Sequence, residues 1–340
     1  MNYTIFFTNK CNMNCGYCYE KNKKLQSVSY EILDRIVDFI VEQQSRSDDK
    51  ELSVVTHGGE PLIEFGKIQY FIANLNARID DVKYIITTNA TLLTEESIDF
   101  LTKNYSEISI SIDGIQTTHD ANRVFTDNKG TYDIVVRNAQ KLLAERDDVK
   151  ARMTINRKTS STFYISVKHL LDIGFTTIVP VIDSYCNEWT ESDMLKLFEE
   201  GKLIADYVKN SSRYVNVGFV DDALSKMKNA PCSGGTNTFS IDTDGIIYPC
   251  IVTAGMEDYA IGDVWNGIKT DKVKEIIEWD KIEMAECRGC SRYDYCTATR
   301  CRLINKIMTG DIDKPSPIVC GIENLKVDIS KYFMEIAPSF

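Results

Sequence analysis

Cys11, Cys15 and Cys18 fall within the eight residues Cys11-Asn-Met-Asn-Cys15-Gly-Tyr17-Cys18, spaced by three residues and then two. Three thiolates this close can hold three irons of a cubane iron–sulfur cluster. Such clusters normally take four cysteines, so a nest of three implies an open iron that something else must bind. The alternative is a zinc site with a distant fourth ligand. Zinc sites usually pair two cysteines two residues apart, and no histidine lies near this loop.

The other cysteines are also grouped. Of eleven, seven lie between 232 and 320, and Cys186 stands alone. The later group reads Cys232, then Gly245-x4-Cys250, then Cys287-x2-Cys290-x5-Cys296-x4-Cys301, and finally Cys320. Such clustering argues for metal sites over disulfides. Seven cysteines without a partner histidine suit thiolate-bound clusters better than a zinc-ribbon module.

Polar motifs end several apolar runs. Gly58-Gly59-Glu60-Pro61 follows one; its glycines permit close backbone approach and its proline fixes the exit. Alone it would read as a turn, with Glu60 as a helix N-terminal acid. Thr88-Asn89 and Ser111-x-Asp113-Gly114 follow two others, in residue types common in turns. Arg152 lies within a further run, where a bidentate carboxylate contact and a surface salt bridge are both open to it. His169 lies on a helical pattern and reads as packing; His119 reads either way.

The elements that must position these residues alternate. Residues 3–8 are β-branched and aromatic and predict a buried strand. A helix follows from near Ser29, with Ile32, Leu33, Ile36 and Ile40 on one face. Further strands are expected at Leu52–Thr56, Tyr84–Thr88, Ile108–Ile112, Val149–Ile155 and Thr177–Ile182, with helices at 95–103, 132–145 and 193–209. This alternation implies a parallel sheet with right-handed crossovers. Six units fall short of the eight of a closed barrel, so the expected fold is α/β, a partial (β/α)6 TIM-like barrel over residues 1–224. Ligands in such sheets sit at the carboxyl ends of strands, where the polar motifs lie. Residues 225–340 read as a separate cysteine-rich, irregular domain.

Bulk properties narrow the partners. The 340-residue chain is 43% hydrophobic and 26% charged, ordinary for a globular protein. Its net charge of −11, with no basic stretch, argues against nucleic acid. No apolar run approaches the ~20 residues that span a bilayer, and no signal sequence opens the chain, so a cytoplasmic location without membrane is expected.

The cysteine triple, with Tyr17 before its last member, resembles the signature of the radical S-adenosylmethionine (radical SAM) superfamily. That resemblance implies that SAM occupies the open iron and that its one-electron cleavage releases a 5′-deoxyadenosyl radical. It places Tyr17 against the adenine of SAM. Gly58, Gly59, Glu60 and Pro61 match the superfamily's GGEP segment, which receives the amino group of methionine. TTNATLLTEE resembles its TNGTLL segment, with Ala90 replacing glycine. SISIDG followed by His119-Asp120-x-x-Arg123 resembles a segment of radical SAM maturases. Asn89, Ser111 and Arg152 are thereby implied as SAM contacts.

The later cysteines, with IDTDGIIYPC and IGDVWNG, resemble the SPASM domain, which carries two auxiliary 4Fe–4S clusters. By that topology Cys232, Cys250 and Cys301 hold the first, and Cys287, Cys290, Cys296 and Cys320 the second. The implied cofactors are SAM and three 4Fe–4S clusters. Four residues separate Cys296 from Cys301 where three are usual. The first auxiliary cluster has an open iron or takes a fourth ligand, for which Cys186 is a candidate; an ordinary buried cysteine is the other reading of it.

The function so implied is modification of a ribosomally made peptide, by hydrogen abstraction followed by a C–S thioether or C–C cross-link. A low-potential donor such as ferredoxin or flavodoxin would supply electrons. Cys11 lies close to the first residue, so leader recognition is expected from the barrel, the SPASM region or a separate leader-peptide-binding protein. An anaerobic sulfatase-maturating enzyme shares this layout, but there an aspartate follows the Gly-x4-Cys cysteine, and here that residue is Ile251. A peptide epimerase would need a hydrogen-atom donor, which Cys186 could be. A non-enzymatic metal-cluster scaffold would lack the strand-end motifs. No catalytic base is assigned.

Overall fold

The computed structural model describes residues 1–20, 24–48, 51–186, 188–221 and 228–336. In chain order the elements begin β1 (Asn2–Thr8), α1 (Tyr30–Ser45), β2 (Leu52–Gly58), α2 (Phe65–Asn76), β3 (Val82–Thr88), α3 (Glu95–Asn104) and β4 (Tyr105–Ser111). They continue with α4 (Gln116–Asp120), α5 (Tyr132–Glu145), β5 (Lys150–Ile155), α6 (Phe163–Ile173), β6 (Thr177–Ile182), α7 (Glu191–Lys209), β7 (Asn216–Val217) and α8 (Gly218–Asp221). The rest are β8 (Thr238–Ile241), β9 (Ile246–Tyr248), β10 (Gly262–Asp263), β11 (Gly267–Ile268), α9 (Thr270–Asp280), α10 (Thr297–Arg300), α11 (Arg302–Thr309) and α12 (Pro317–Ile336).

The chain forms two compact units. The first comprises Met1–Asn12, Cys18–Ile108 and Pro231–Ile282; the second comprises Met13–Tyr17, Ser109–Ala230 and Glu283–Phe340. The boundary expected between 224 and 225 lies outside the described residues.

In the first unit β1 pairs in parallel with both β2 and β8, and β2 with β3. A strand flanked on both sides and covered on both faces must be apolar throughout. Tyr3, Ile5, Phe6 and Phe7 are accordingly all buried, and the Tyr3 ring stacks on Phe239 with centroids 5.3 Å apart. β8 opens an antiparallel meander through β9, β10 and β11. The Ser29 side chain accepts the Ile32 N–H and so fixes the start of α1, which buries Leu33, Ile36, Val37 and Ile40.

In the second unit the end of β4 pairs in parallel with β5, β5 with β6, and β6 with β7. Ala151, Met153 and Ile155 of β5 are buried while Arg152, pointing the other way, is exposed. Thr190 and Asp193 form a capping box that starts α7. A Cβ on Gly201 of α7 would stand 2.2 Å from Ile329 Cδ1, so glycine there lets α12 approach closely.

The architecture is α/β: the parallel sheet of a partial TIM-like barrel with a cysteine-rich C-terminal region. Two features depart from the sequence reading. β7 adds a short seventh strand, and the described residues beyond 225 are not irregular but carry β8–β11 and four α-helices. The added strands are two to four residues long, too short to display a period of two. Among the described residues no helix is long and apolar enough to cross a membrane.

Candidate active site

The cysteine loop leaves β1 and is divided between the units: Cys11 and Cys18 belong to the first, Cys15 and Tyr17 to the second. In the first unit the end of β2 presses on the start of that loop. A Cβ on Gly58 would lie 2.3 Å from the Thr8 carbonyl oxygen, and one on Gly59 2.3 Å from that of Lys10. The Gly59 N–H donates to Thr8 O and the Glu60 N–H to Lys10 O, both at 2.9 Å. The two glycines thus let the chain's own backbones meet.

Glu60 caps the short 3-10 turn Pro61–Glu64 and is 1% exposed. Its Oε1 accepts from Leu62 N at 3.1 Å and Thr88 Oγ1 at 2.7 Å, and its Oε2 from Asn89 N at 2.7 Å. Burial pushes its pKa up to about 7 against the pull of these three donors. Asn89 in turn reaches the cysteine loop. Its Nδ2 donates to Asn12 Oδ1 at 2.9 Å and stands 3.9 Å from Cys11 Sγ, while its Oδ1 accepts from Thr91 N and Thr91 Oγ1 at 3.0 and 2.6 Å. Ala90 between them has φ +60°, the left-handed conformation that favours glycine. At the other side of this rim Asn9 Nδ2 donates to Asp242 Oδ1 at 3.0 Å, tying β1 to the IDTDG turn.

In the second unit Asn14 N donates to Val124 O at 2.8 Å and Gly16 N to Asn122 O at 2.9 Å, so residues 122–124 cradle the middle of the loop. Asn122 is buried, and its Nδ2 has no hydrogen-bond partner among the described residues. Beside it, Arg123 Nε lies 3.0 Å from Asp113 Oδ1, a pair that is almost wholly buried. The guanidinium sits 5.3 Å from the centre of the Tyr17 ring, whose hydroxyl donates to Asp113 Oδ2. Asp113 Oδ1 also accepts from Thr154 N at 2.9 Å. Burial pushes the Tyr17 hydroxyl well above its usual range, so it stays protonated.

A closed circuit fixes this pair. Asp113 N donates to His119 Nδ1 at 3.3 Å. The ring's other nitrogen therefore carries the proton and donates to Thr131 Oγ1 at 2.9 Å, and that hydroxyl donates to Arg123 O at 2.8 Å. Burial, with Arg123 nearby, holds His119 neutral down to about pH 3. Asp120 Oδ1 accepts from Thr131 N and Tyr132 N at 2.8 and 2.9 Å, anchoring the start of α5. His119 is thus structural, as is His169, whose Nε2 is 2.5 Å from the Tyr132 hydroxyl.

Ser111 and Arg152 are paired across β4 and β5 and so share a face. None of the eleven cysteines is in a disulfide. In the first unit Cys232 and Cys250 interact electrostatically; burial, more than this neighbour, pushes the Cys250 thiol up. In the second unit Cys287 interacts with Cys320 and Cys290, and Cys296 with Cys320; burial is the larger cause of the upward shift of both Cys287 and Cys296. Cys301 also lies in the second unit, and Cys186 is half-buried just after β6.

Among the described residues no three of these side chains converge on one point as they would around a single metal ion. The donor set is all sulfur, and the orphaned Asn122 amide beside the loop leaves a donor for a bound group. The residues therefore fit an iron–sulfur cluster and its ligand.

Sequence reading missed Asn12, Asn122 and Thr131, whose residue types carry no signal. It quoted Asp113 and Arg123 within a motif without seeing that they pair.

A parallel barrel with thiols on the loop after its first strand, and a cysteine-rich extension, defines an iron–sulfur protein of the α/β barrel class. Residues 5–164 match the Radical SAM superfamily model. The chain is 24% identical over 318 residues to a cysteine-type anaerobic sulfatase-maturating enzyme of Clostridium novyi, covering 85% of this chain and 84% of that protein. Its fold matches native anSMEcpe with bound AdoMet and Kp18Cys peptide at a TM-score of 0.82, with 17% identity and 98% of both chains covered. It also matches Streptococcus suis SuiB bound to precursor peptide SuiA at 0.68, with 14% identity, over 94% of this chain and 75% of that one. Residues 5–164 are thus a radical SAM domain, and the chain as a whole has the fold of anSMEcpe and SuiB. It is an enzyme, and the domain match implies SAM and a 4Fe–4S cluster.

Proposed function

We propose that this enzyme modifies a ribosomally made precursor peptide, by hydrogen abstraction followed by a C–S or C–C cross-link. The observation that carries the reading is the second group of thiols, in which Cys287 interacts with Cys320 and Cys290, and Cys296 with Cys320. The peptide-bound structures of the same fold, each spanned over three quarters or more of its length, support it.

In this reading Cys11, Cys15 and Cys18 hold the cluster that binds SAM. Cys232, Cys250 and Cys301 hold one auxiliary cluster, and Cys287, Cys290, Cys296 and Cys320 the other. When bound, cluster and SAM together supply the hydrogen-abstracting radical chemistry. The protein's task is position and exclusion of water. Glu60, through Asn89, orients the Cys11 end of the loop; Tyr17 would hold the adenine of SAM; Ser111 and Arg152 present a hydroxyl and a cation from one face of the sheet. Residues 1–224 serve as the radical SAM barrel and 225–340 as the SPASM domain. A ferredoxin or flavodoxin supplies electrons in the cytoplasm, and a separate protein delivers the leader where the barrel does not bind it.

Sulfatase maturation is the second reading, favoured by the Clostridium novyi relative. Against it, Ile251 follows Cys250 and packs on the Phe6, Tyr248 and Ala254 cluster, leaving no acid at that position. The test is anaerobic incubation with SAM, a reductant and peptides encoded beside the gene, read by mass spectrometry. Loss of two hydrogens supports cross-linking. Conversion of a cysteine to formylglycine supports the second reading. Deuterium uptake without mass change in ordinary water would mean epimerisation, and deoxyadenosine release indifferent to every peptide would overturn peptide modification.

A further inference from the structure

We propose that the buried Asp113–Arg123 pair sets the reduction potential of the SAM-binding cluster, with the Arg123 guanidinium acting through Cys15 and Tyr17. This rests on Cys15 being a ligand of that cluster. It assigns a task to a motif that the function above leaves unused.

The pair has no evident purpose in stability. Taking two charges from water costs several kcal/mol per ion, and apolar replacements of buried pairs are often neutral or better. Yet three side chains hold this one in place: Tyr17 on the carboxylate and beneath the guanidinium, and His119 and Thr131, which link the Asp113 N–H to the Arg123 carbonyl. The backbone beside Arg123 is bonded to the cysteine loop at Asn14 and Gly16, on either side of Cys15. Arg123 also interacts electrostatically with Cys15 itself.

Reduction adds one electron and no proton to a cluster, so its net charge falls by one. Fixed charges beside the ligands, in a medium of low dielectric, then bias the equilibrium. A guanidinium favours the reduced state and a carboxylate opposes it. Arg123 and Asp113 are positioning residues in this account, and their removal must move the potential in opposite directions.

The experiment is a redox titration of anaerobically reconstituted holoenzyme, followed by electron paramagnetic resonance. The signal read is the one that changes when SAM is added. Arg123→Met is expected to disfavour reduction about tenfold, a shift of ~59 mV to more negative potential for one electron. Asp113→Asn is expected to shift it by a similar factor the other way. Arg123→Lys keeps the charge and is expected to stay near the wild-type value. Arg123→Gln replaces the methionine variant if that one does not fold, and each variant is read by its own sign. A shift of the wrong sign, no shift in a charge-removing variant, or an Arg123→Lys shift as large as that of Arg123→Met overturns the proposal. A wild-type protein with no SAM-responsive signal would instead defeat the assignment of Cys11, Cys15 and Cys18.

Discussion

The two units hold the cysteine loop by contrasting means. In the first, a lone buried carboxylate, Glu60, is surrounded by three neutral donors and orders Asn89 beside Cys11. In the second, a buried ion pair braces Tyr17 beside Cys15. The first arrangement can be discharged by a proton near neutral pH. The second keeps its cation, since burial alone would lower Arg123 but the Asp113 carboxylate holds it charged. One rim is responsive to pH and the other fixed.

Breaking the fixed side should cost most. Arg123→Met leaves Asp113 buried and uncompensated, and chemical denaturation should show a loss of about 3–5 kcal/mol. Gly59→Ala attacks the first rim through backbone, because its methyl would meet the Lys10 carbonyl at 2.3 Å. A loss of about 3 kcal/mol is expected. It should come with reduced iron uptake, measured by iron analysis after reconstitution. Unchanged stability in either variant would mean that the rim it belongs to is not rigid.

Glu60→Gln tests the contrast directly. An amide cannot accept all three donors, so a loss of about 1–3 kcal/mol is expected at low pH. The wild-type carboxyl, raised to about 7 in the folded protein against about 4.5 unfolded, binds its proton more tightly when folded. Its contribution is complete below pH 4.5 and is lost as pH rises to about 7, on the order of 3 kcal/mol in all. Denaturation across that window should show this slope in the wild type and its absence in Glu60→Gln. Equal slopes would remove the distinction between the rims. Ala90→Gly should have the smallest effect, stabilising by up to about 1 kcal/mol as left-handed strain is relieved. A small rise in melting temperature would register it.

What the sequence made legible follows from how local each signal is. The apolar run of β1, the Ser29 cap and the cysteine spacings all act within a few residues and could be read directly. The Gly58-Gly59 pair was legible as a close approach, but only the fold reveals that the backbone approached is that of Thr8 and Lys10. Arg123 stood in plain view, yet its role depends on Asp113, His119 and Thr131, which the chain brings together only by closing α4 onto β4 and α5. The strands after residue 225 were invisible because β8 gains its place from β1, some 230 residues earlier, and not from any pattern of its own.

The central claim is that the cysteine triple holds a cluster that SAM completes, with two more clusters beyond the barrel. Iron analysis of anaerobically reconstituted protein, with and without Cys11, Cys15 and Cys18 replaced together by alanine, tests it most directly. The account predicts about twelve irons per chain in the wild type, about eight in the variant, and a SAM-induced spectral change only in the former. About four irons with bound zinc, or a SAM response that survives the triple replacement, would contradict it.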